Sequence, residues 1–264
     1  MPKSITFKSE DVSNFVSWLK KFSSIESSLL LEINKDKQSF VAKSYNSEKS
    51  VVKLAEISFE NAGLHIQKEF NEDLIKLGIF NILQMIKSFE QFKSKAFDII
   101  IKYDEVDESF AGTSILIKND SLRVKIECTS LNIFKYISDE LYRDVIMNTT
   151  EIANLEYPLE TIEEILSLSV LDKDYKFLEF LIKDGKVFVK GRTFALEIAD
   201  AENNKNHIIS VYKEHFEKVD KENYNFVFGD DKLIFKSKDS ETITVLSMVV
   251  KDYEKYDEEL TDFE

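Results

Sequence analysis

Histidine, cysteine and paired carboxylates are the side chains with which this chain could do chemistry, and their placement argues against it. His65, His207 and His215 are scattered, and none has the i, i+4 histidine partner of a zinc-binding helix. Structural or surface roles are expected for all three. The single cysteine, Cys128, excludes a disulfide framework and any cysteine-based zinc site. It suits a reducing compartment and falls within a predicted strand, where it reads as a small buried apolar residue. Asp104-Glu105 and Asp230-Asp231 sit where turns are expected, and a chain with 49 acidic residues produces such pairs by chance. A glycosidase-like carboxylate pair drawn from distant parts of the chain stays open. No Gly-x-Gly-x-x-Gly fingerprint, Walker phosphate loop or nucleophile elbow occurs. The expectation is a non-enzyme that needs no cofactor and no metal.

Lysines are more informative. The chain carries 35 basic and 49 acidic side chains, a formal charge of -14. Such a charge opposes casual binding to nucleic acid or an anionic membrane, unless positive charge is gathered on one face. Residues 12–24 and 74–89 contain no acid at all. Both stretches read as helices, and opposite their apolar stripes they show Ser13, Asn14, Ser17, Lys20 and Lys21, then Lys76, Asn81, Gln84, Lys87 and Ser88. Two readings are open: ordinary solvated helix faces, or a surface facing a polyanion. Lysines with small polar residues suit loose phosphate contact without base reading. In the second half, Glu160, Glu163 and Glu164 oppose such contact. Lys173 and Lys176 follow them, and Lys213, Lys218 and Lys221 are mixed with Glu214 and Glu217.

The elements that must position these residues follow from periodicity. Val12, Phe15, Val16, Leu19 and Phe22 form one stripe, predicting a helix over 9–22 capped by Ser9. Strands are predicted at 29–33, 39–43 and 51–58. A second helix is predicted at 72–89 with a stripe of Ile75, Ile79, Ile82, Leu83 and Ile86, followed by strands at 96–103, 114–118 and 122–129. A connector without clear periodicity runs to about Tyr157, with room for a strand at its end. Pro158 then precedes a helix over 159–170, with Thr161 to Glu164 matching a capping box. Strands at 176–182, 186–189, 194–198 and 207–211, a short helix at 212–220, and strands at 224–228, 232–235 and 242–250 complete the chain. Asp184-Gly185 is a hairpin turn. Both halves repeat helix, strands, helix, strands. The fold class expected is α+β: two similar domains, each an antiparallel sheet with two helices on one face. The boundaries are 1–137, a connector over 138–157, and 158–264 with an acidic tail from 252.

Six Gly and two Pro exclude collagen-like and low-complexity chains, and 43% apolar residues mark a globular one. No apolar run approaches the ~18 residues of a membrane span. No signal peptide is expected at the start.

Six segments carry a family resemblance. In the first half they are Trp18-Leu19-Lys20-Lys21-Phe22, Leu77-Gly78-Ile79-Phe80-Asn81-Ile82-Leu83, and Val124-Lys125-Ile126-Glu127 running into Ile133-Phe134. In the second half they are Ile162-Glu163-Glu164-Ile165-Leu166, Ile182-Lys183-Asp184-Gly185-Lys186-Val187 and Asn223-Tyr224-Asn225-Phe226. In this order and spacing the chain resembles the DNA sliding clamps, the polymerase processivity factors, and is most similar to the tailed-bacteriophage type.

The resemblance implies a homotrimeric ring on duplex DNA, joined head to tail through sheet edges. A clamp-loader ATPase would load it, and it would tether the replicative polymerase without reading sequence. It implies work in the cytoplasm, of the host cell if the source is viral. Lys20, Lys21, Lys76 and Lys87 fall where the family places inner-face lysines, and Lys213, Lys218 and Lys221 on the equivalent last helix; Lys173 is added to this DNA-binding set. The glutamates of the third helix depart from the pattern. A polymerase-peptide groove is implied at Leu141, Tyr142, Val145 and Ile146 of the connector and Leu246, Met248 and Val250 of the last strand. The alternatives are an open monomeric processivity factor, or a structural scaffold with no DNA role.

Overall fold

Alternation of buried and open positions every second residue builds most of the molecule. The computed structural model describes residues 3–68, 70–92, 96–107, 109–132, 144, 148–201 and 206–249. The chain forms two compact units: Met1–Met147 with Asp239–Thr244, and Asn148–Lys238 with Val245–Glu264. Residues 133–143 and 145–147, which span the end of the expected first domain and the start of the connector, and the tail from 250, lie outside the described residues.

The first unit comprises β1 (Lys3–Ser9), α1 (Ser13–Lys20), β2 (Leu29–Asn34), β3 (Ser39–Tyr45), β4 (Val51–Ser58), β5 (His65–Lys68), β6 (Leu74–Ile79), α2 (Ile82–Glu90), β7 (Phe97–Val106), β8 (Ser109–Lys118) and β9 (Arg123–Glu127). Its strands run in the order β4-β3-β2-β6-β8-β7-β1-β5, with β9 added to β8. Every pairing is antiparallel except β6 with β8, which is parallel through Ile75–Phe110 and Lys76–Ala111. Both helices bury one face. Phe15, Val16, Trp18 and Leu19 of α1 and Ile82, Met85, Ile86 and Phe89 of α2 are at most 5% exposed. Phe15 and Phe89 meet edge to face at 5.4 Å and bring the helices together, while Phe15 also meets Phe40 of the sheet at 5.1 Å. Each such ring contributes roughly 2–3 kcal/mol by leaving water.

The second unit comprises β10 (Ala153–Tyr157), α3 (Leu159–Ser169), β11 (Phe177–Lys183), β12 (Lys186–Lys190), β13 (Ala195–Asp200), β14 (His207–Tyr212), α4 (Lys213–Phe216), β15 (Tyr224–Phe228), β16 (Lys232–Ser237) and β17 (Glu241–Ser247), whose residues from Val245 count with this unit. It has two sheets, β10-β15-β16-β17 and β13-β12-β11-β14. Phe226 packs on Phe235 at 4.9 Å and on Tyr157 at 4.9 Å, and Phe216 of α4 reaches Phe180 at 5.7 Å.

Several elements differ from the sequence expectation. Ser9 ends β1 fully buried, so it caps nothing. The helix begins at Ser13, whose backbone N–H donates to the Asp11 carboxylate at 2.8 Å. The helix expected over 72–89 is instead β6 followed by α2. Ile75, Leu77 and Ile79 alternate into the core, and only from Ile82 does the helical period hold. Leu83, assigned to the apolar stripe, is 51% exposed. The third helix starts two residues before Thr161, with Pro158 at the cap position, so no capping box forms. Its first N–H, that of Leu159, donates to Asn223 Oδ1 at 3.1 Å. The strand expected at the end of the connector is present as β10, paired with β15. Asp184 and Gly185 both take positive φ (53° and 75°), as their tight turn requires.

Candidate nucleic-acid interface

The solvent face of the first helix pair carries the positive charge. On α1, Ser13, Asn14, Ser17 and Lys20 are exposed, and on α2 so are Asn81, Gln84 and Lys87. Asn81 caps α2, its Oδ1 accepting from the Gln84 N–H at 2.9 Å. Neither helix has an acid in its first turn, although helix dipoles favour one there. Lys20 joins the two helices through Glu90 at 2.8 Å. Ser88, expected on this face, is buried, its hydroxyl donating to the Gln84 carbonyl at 2.8 Å.

The remaining lysines are differently placed. Lys21 is half-buried, and its Nζ donates to Ser240 Oγ at 3.0 Å and Thr242 Oγ1 at 3.3 Å. Lys76 is not on a helix. It stands in β6 directly opposite Glu32 of β2, their charged atoms 3.8 Å apart, and Lys43 reaches the other oxygen of Glu32 at 2.9 Å. Glu32 is 5% exposed. This cross-strand group fixes Lys76 on the sheet, away from the face formed by α1 and α2.

In the second unit, Lys213 donates to the Ser169 carbonyl at 2.6 Å and the Asp172 carbonyl at 3.3 Å, closing the C-terminal end of α3. Lys221 faces Glu163 at 3.7 Å, Lys218 is half-buried, and Lys173 is exposed in the turn after α3. Glu160, Glu163 and Glu164 are exposed on α3. Of the eight lysines expected to form one surface, the structure therefore brings Lys20 and Lys87 together on adjoining helices. It ties Lys76 and Lys213 into other work. Each half of the chain supplies two helices, but α3 exposes glutamates where α1 and α2 expose lysines.

Most of the expected peptide groove, Leu141, Tyr142, Val145, Ile146 and Val250, lies outside the described residues. Leu246 is fully buried in β17, so it packs the core and cannot line an open groove. Met248 is half-buried, its N–H donating to the Asp231 carbonyl at 2.9 Å.

Among the described residues no group of three or more His, Cys, Asp or Glu is placed to hold a metal ion, and no helix is long and apolar enough to cross a membrane. His65 is exposed, His207 lies 3.1 Å from the Asp230 carbonyl, and His215 is buried against the Tyr212 ring. The Cys128 thiol is pushed up to about 12 by burial and by neighbouring Glu127, which makes it a poor nucleophile.

No protein-family model matches the sequence, and no curated protein does. Solved structures do. A candidate DNA polymerase III β subunit from Eubacterium rectale superposes with a TM-score of 0.67 at 11% identity, over 98% of this chain and 68% of that one. The Helicobacter pylori β clamp bound to a DNA ligase peptide gives 0.64 at 11%, over 95% and 67%. Proliferating cellular nuclear antigen from Entamoeba histolytica gives 0.63 at 12%, over 93% and 99%. The fold is that of the DNA sliding clamps. The chain thus spans about two thirds of the bacterial β chains and nearly the whole of the Entamoeba protein.

Sequence reading missed a set of exposed apolar side chains: Phe80 just before α2, Leu83 in its first turn, and Val170 and Leu171 after α3. Their signal was present in Leu83, which stands next to Ile82 in the stripe although both cannot face the core.

Proposed function

We propose that this protein is a processivity clamp. Copies of the chain close around duplex DNA, hold it through non-specific phosphate contacts, and tether a replicative DNA polymerase. The observation that carries the reading is the α1–α2 face. In a protein of charge -14, it exposes serines, asparagines and lysines and has no acid in the first turn of either helix. On a fold shared with clamps, such a face tolerates a phosphate backbone while the acidic remainder repels it. Exposed Lys20 and Lys87 make the contacts; Lys173, Lys218 and Lys221 contribute in the second unit, where the glutamates of α3 weaken the hold.

In this reading the ring is a homotrimer. A separate loader ATPase opens it, the connector and the end of β17 receive the polymerase, and the chain itself catalyses nothing. In this reading the chain works in the cytoplasm, that of the host cell if its source is viral.

A scaffold without a DNA role is favoured by one observation, the diversion of Lys76 and Lys213 into structural contacts. Primer extension separates the two readings. With the polymerase of its own genome on a long template, the clamp reading expects longer products per binding event. Unchanged product length with and without the protein would favour the scaffold.

A further inference from the structure

The solvent face of five strands in the first unit breaks with the charge of the chain. Ile5, Phe7, Ile99, Ile101, Ile115 and Ile117 point into the core. The residues alternating with them on β1, β7 and β8 therefore share the opposite face, and the pairing extends it to β5 and β9. One row across the strands runs His65, Lys8, Asp98, Lys118 and Arg123, each directly opposite the next. A second runs Lys68, Thr6, Ile100, Leu116 and Lys125, and in a third Ser114 stands between Lys102 and Glu127.

Lys8, Lys68, Lys102, Lys118, Arg123 and Lys125 thus share this face with Asp98 and Glu127, six cations to two carboxylates in a protein of charge -14. All of these cations except half-buried Lys118 are exposed. Both carboxylates are already engaged, Asp98 with Lys118 at 3.9 Å and Glu127 with Lys125. Lys118 and Arg123 oppose each other directly, and like charges so placed cost stability. A bound anion offsets that cost.

Two features of the face favour a polypeptide over a nucleic acid. Its centre, Ile100 and Leu116, is apolar and half-buried. Its two carboxylates would also meet a phosphate backbone as like charges. A peptide that interleaves acids with apolar side chains and a lysine suits both. Residues 252–264 of this chain have that composition: seven acids, one lysine (Lys255), and Tyr253, Tyr256, Leu260 and Phe263. They can reach the face. Asp239–Thr244, just ahead of them in the chain, count with the first unit. The segment 250–264 extends up to about 50 Å, further than the breadth of about 40 Å of a body of that unit's size. A tethered segment within reach meets its site at roughly millimolar effective concentration, which favours the same chain over a second copy.

We propose that residues 252–264 dock on the β5-β1-β7-β8-β9 face of their own chain. Their carboxylates pair with its lysines, and their tyrosines, Leu260 and Phe263 cover Ile100 and Leu116. The docked segment neutralises the face and withholds it from other polyanions, so that the α1–α2 face is the cationic surface left open. Ion pairs on an exposed sheet are weak singly, so the contact is expected to loosen as salt rises. The inference does not depend on the proposed function: the segment can dock whether or not the α1–α2 face holds DNA.

The test treats the full chain at low salt with a water-soluble carbodiimide, which joins lysine amines to carboxylates in contact, and maps the joined peptides by mass. Asp257, Glu258 and Glu259 are expected to couple to Lys8, Lys68, Lys102 or Lys125, with a yield unchanged on dilution. Lys102→Glu with Lys125→Glu is expected to lower the yield at the retained Lys8 and Lys68 by about fivefold, and Lys102→Gln with Lys125→Gln by about twofold. Lys49→Glu, in the turn between β3 and β4, is expected to leave it unchanged. All these side chains are exposed, so circular dichroism and thermal midpoints are expected to match the wild type. The proposal is overturned if coupling is absent, centres on Lys20 and Lys87, or spreads evenly over the lysines. Coupling that fades on dilution also overturns it and makes the occupant a second copy. Absent coupling together with weaker duplex DNA binding by the Lys102→Glu, Lys125→Glu variant would make the occupant a nucleic acid.

Discussion

Glu72 shows what one residue contributes. It lies between β5 and β6, 9% exposed, and binds Lys3 Nζ at 2.7 Å and the Tyr103 hydroxyl at 2.5 Å, joining this linker to β1 and β7. Burial works against its charged form, but the hydrogen bonds from Lys3, Tyr103 and its neighbouring backbone outweigh that and hold the carboxyl at about 2. The same bond raises the Tyr103 hydroxyl, after burial itself. A depressed carboxyl stabilises the fold above the unfolded value of roughly 4.3 and loses that contribution as pH falls towards 2. Glu72→Gln is therefore expected to lower unfolding free energy by about 1–3 kcal/mol in urea at pH 7. The deficit should narrow below pH 4; a deficit independent of pH would count against the charged network. At Cys128, iodoacetamide at pH 8 is expected to leave the native thiol largely unmodified while labelling the unfolded chain. Rapid native labelling would contradict its raised pKa. Both expectations need the structure: nothing in the spacing of Lys3, Glu72 and Tyr103 announces that they meet. Cys128 was expected buried within a strand; it follows the last residue of β9 and is half-buried.

At the scale of elements, most strands were readable because alternation is strong and the turns carry their own chemistry, as in Asp184-Gly185. The failure at 72–89 has a physical cause. Ile75, Ile79, Ile82 and Ile86 fit a helical stripe, but Ile75, Leu77 and Ile79 fit a strand equally well, and pairing with β2 on one side and β8 on the other decides it. That mistake moved Lys76 from sheet to helix. Reversing its charge, Lys76→Glu, would set two acids directly across β2 and β6 in a poorly exposed place. It is expected to destabilise the fold by about 1–3 kcal/mol, whereas Lys87→Glu on the open face of α2 should leave stability within about 0.5 kcal/mol. Denaturant midpoints of the two variants compare them. Gly63 is a second test. It sits at φ +71°, and a Cβ there would lie 2.1 Å from the Asp11 carbonyl ahead of α1. Gly63→Ala is expected to cost more than about 1 kcal/mol, since strain and clash both oppose it; a neutral midpoint would show that the turn can move.

For the whole molecule, charge distribution matters more than charge. The sequence showed an acidic chain with two acid-free stretches, 12–24 and 74–89; the helices they supply adjoin in the structure, and Glu90 at the end of α2 pairs with Lys20. It could not show which lysines reach the open face, because that depends on where each element begins. Lys20→Glu with Lys87→Glu is expected to weaken DNA binding at every sequence alike. It should also flatten the salt dependence by about one unit of log–log slope for each phosphate that is no longer neutralised. A sequence-selective loss would contradict backbone recognition. The decisive measurement is retention on DNA topology. The protein is assembled in the presence of nicked circular duplex, washed at high salt, and the circle is then cut. Encirclement predicts that the protein stays with the intact circle and leaves once the DNA is linear. Equal loss from circular and cut DNA, or equal retention on both, would contradict it.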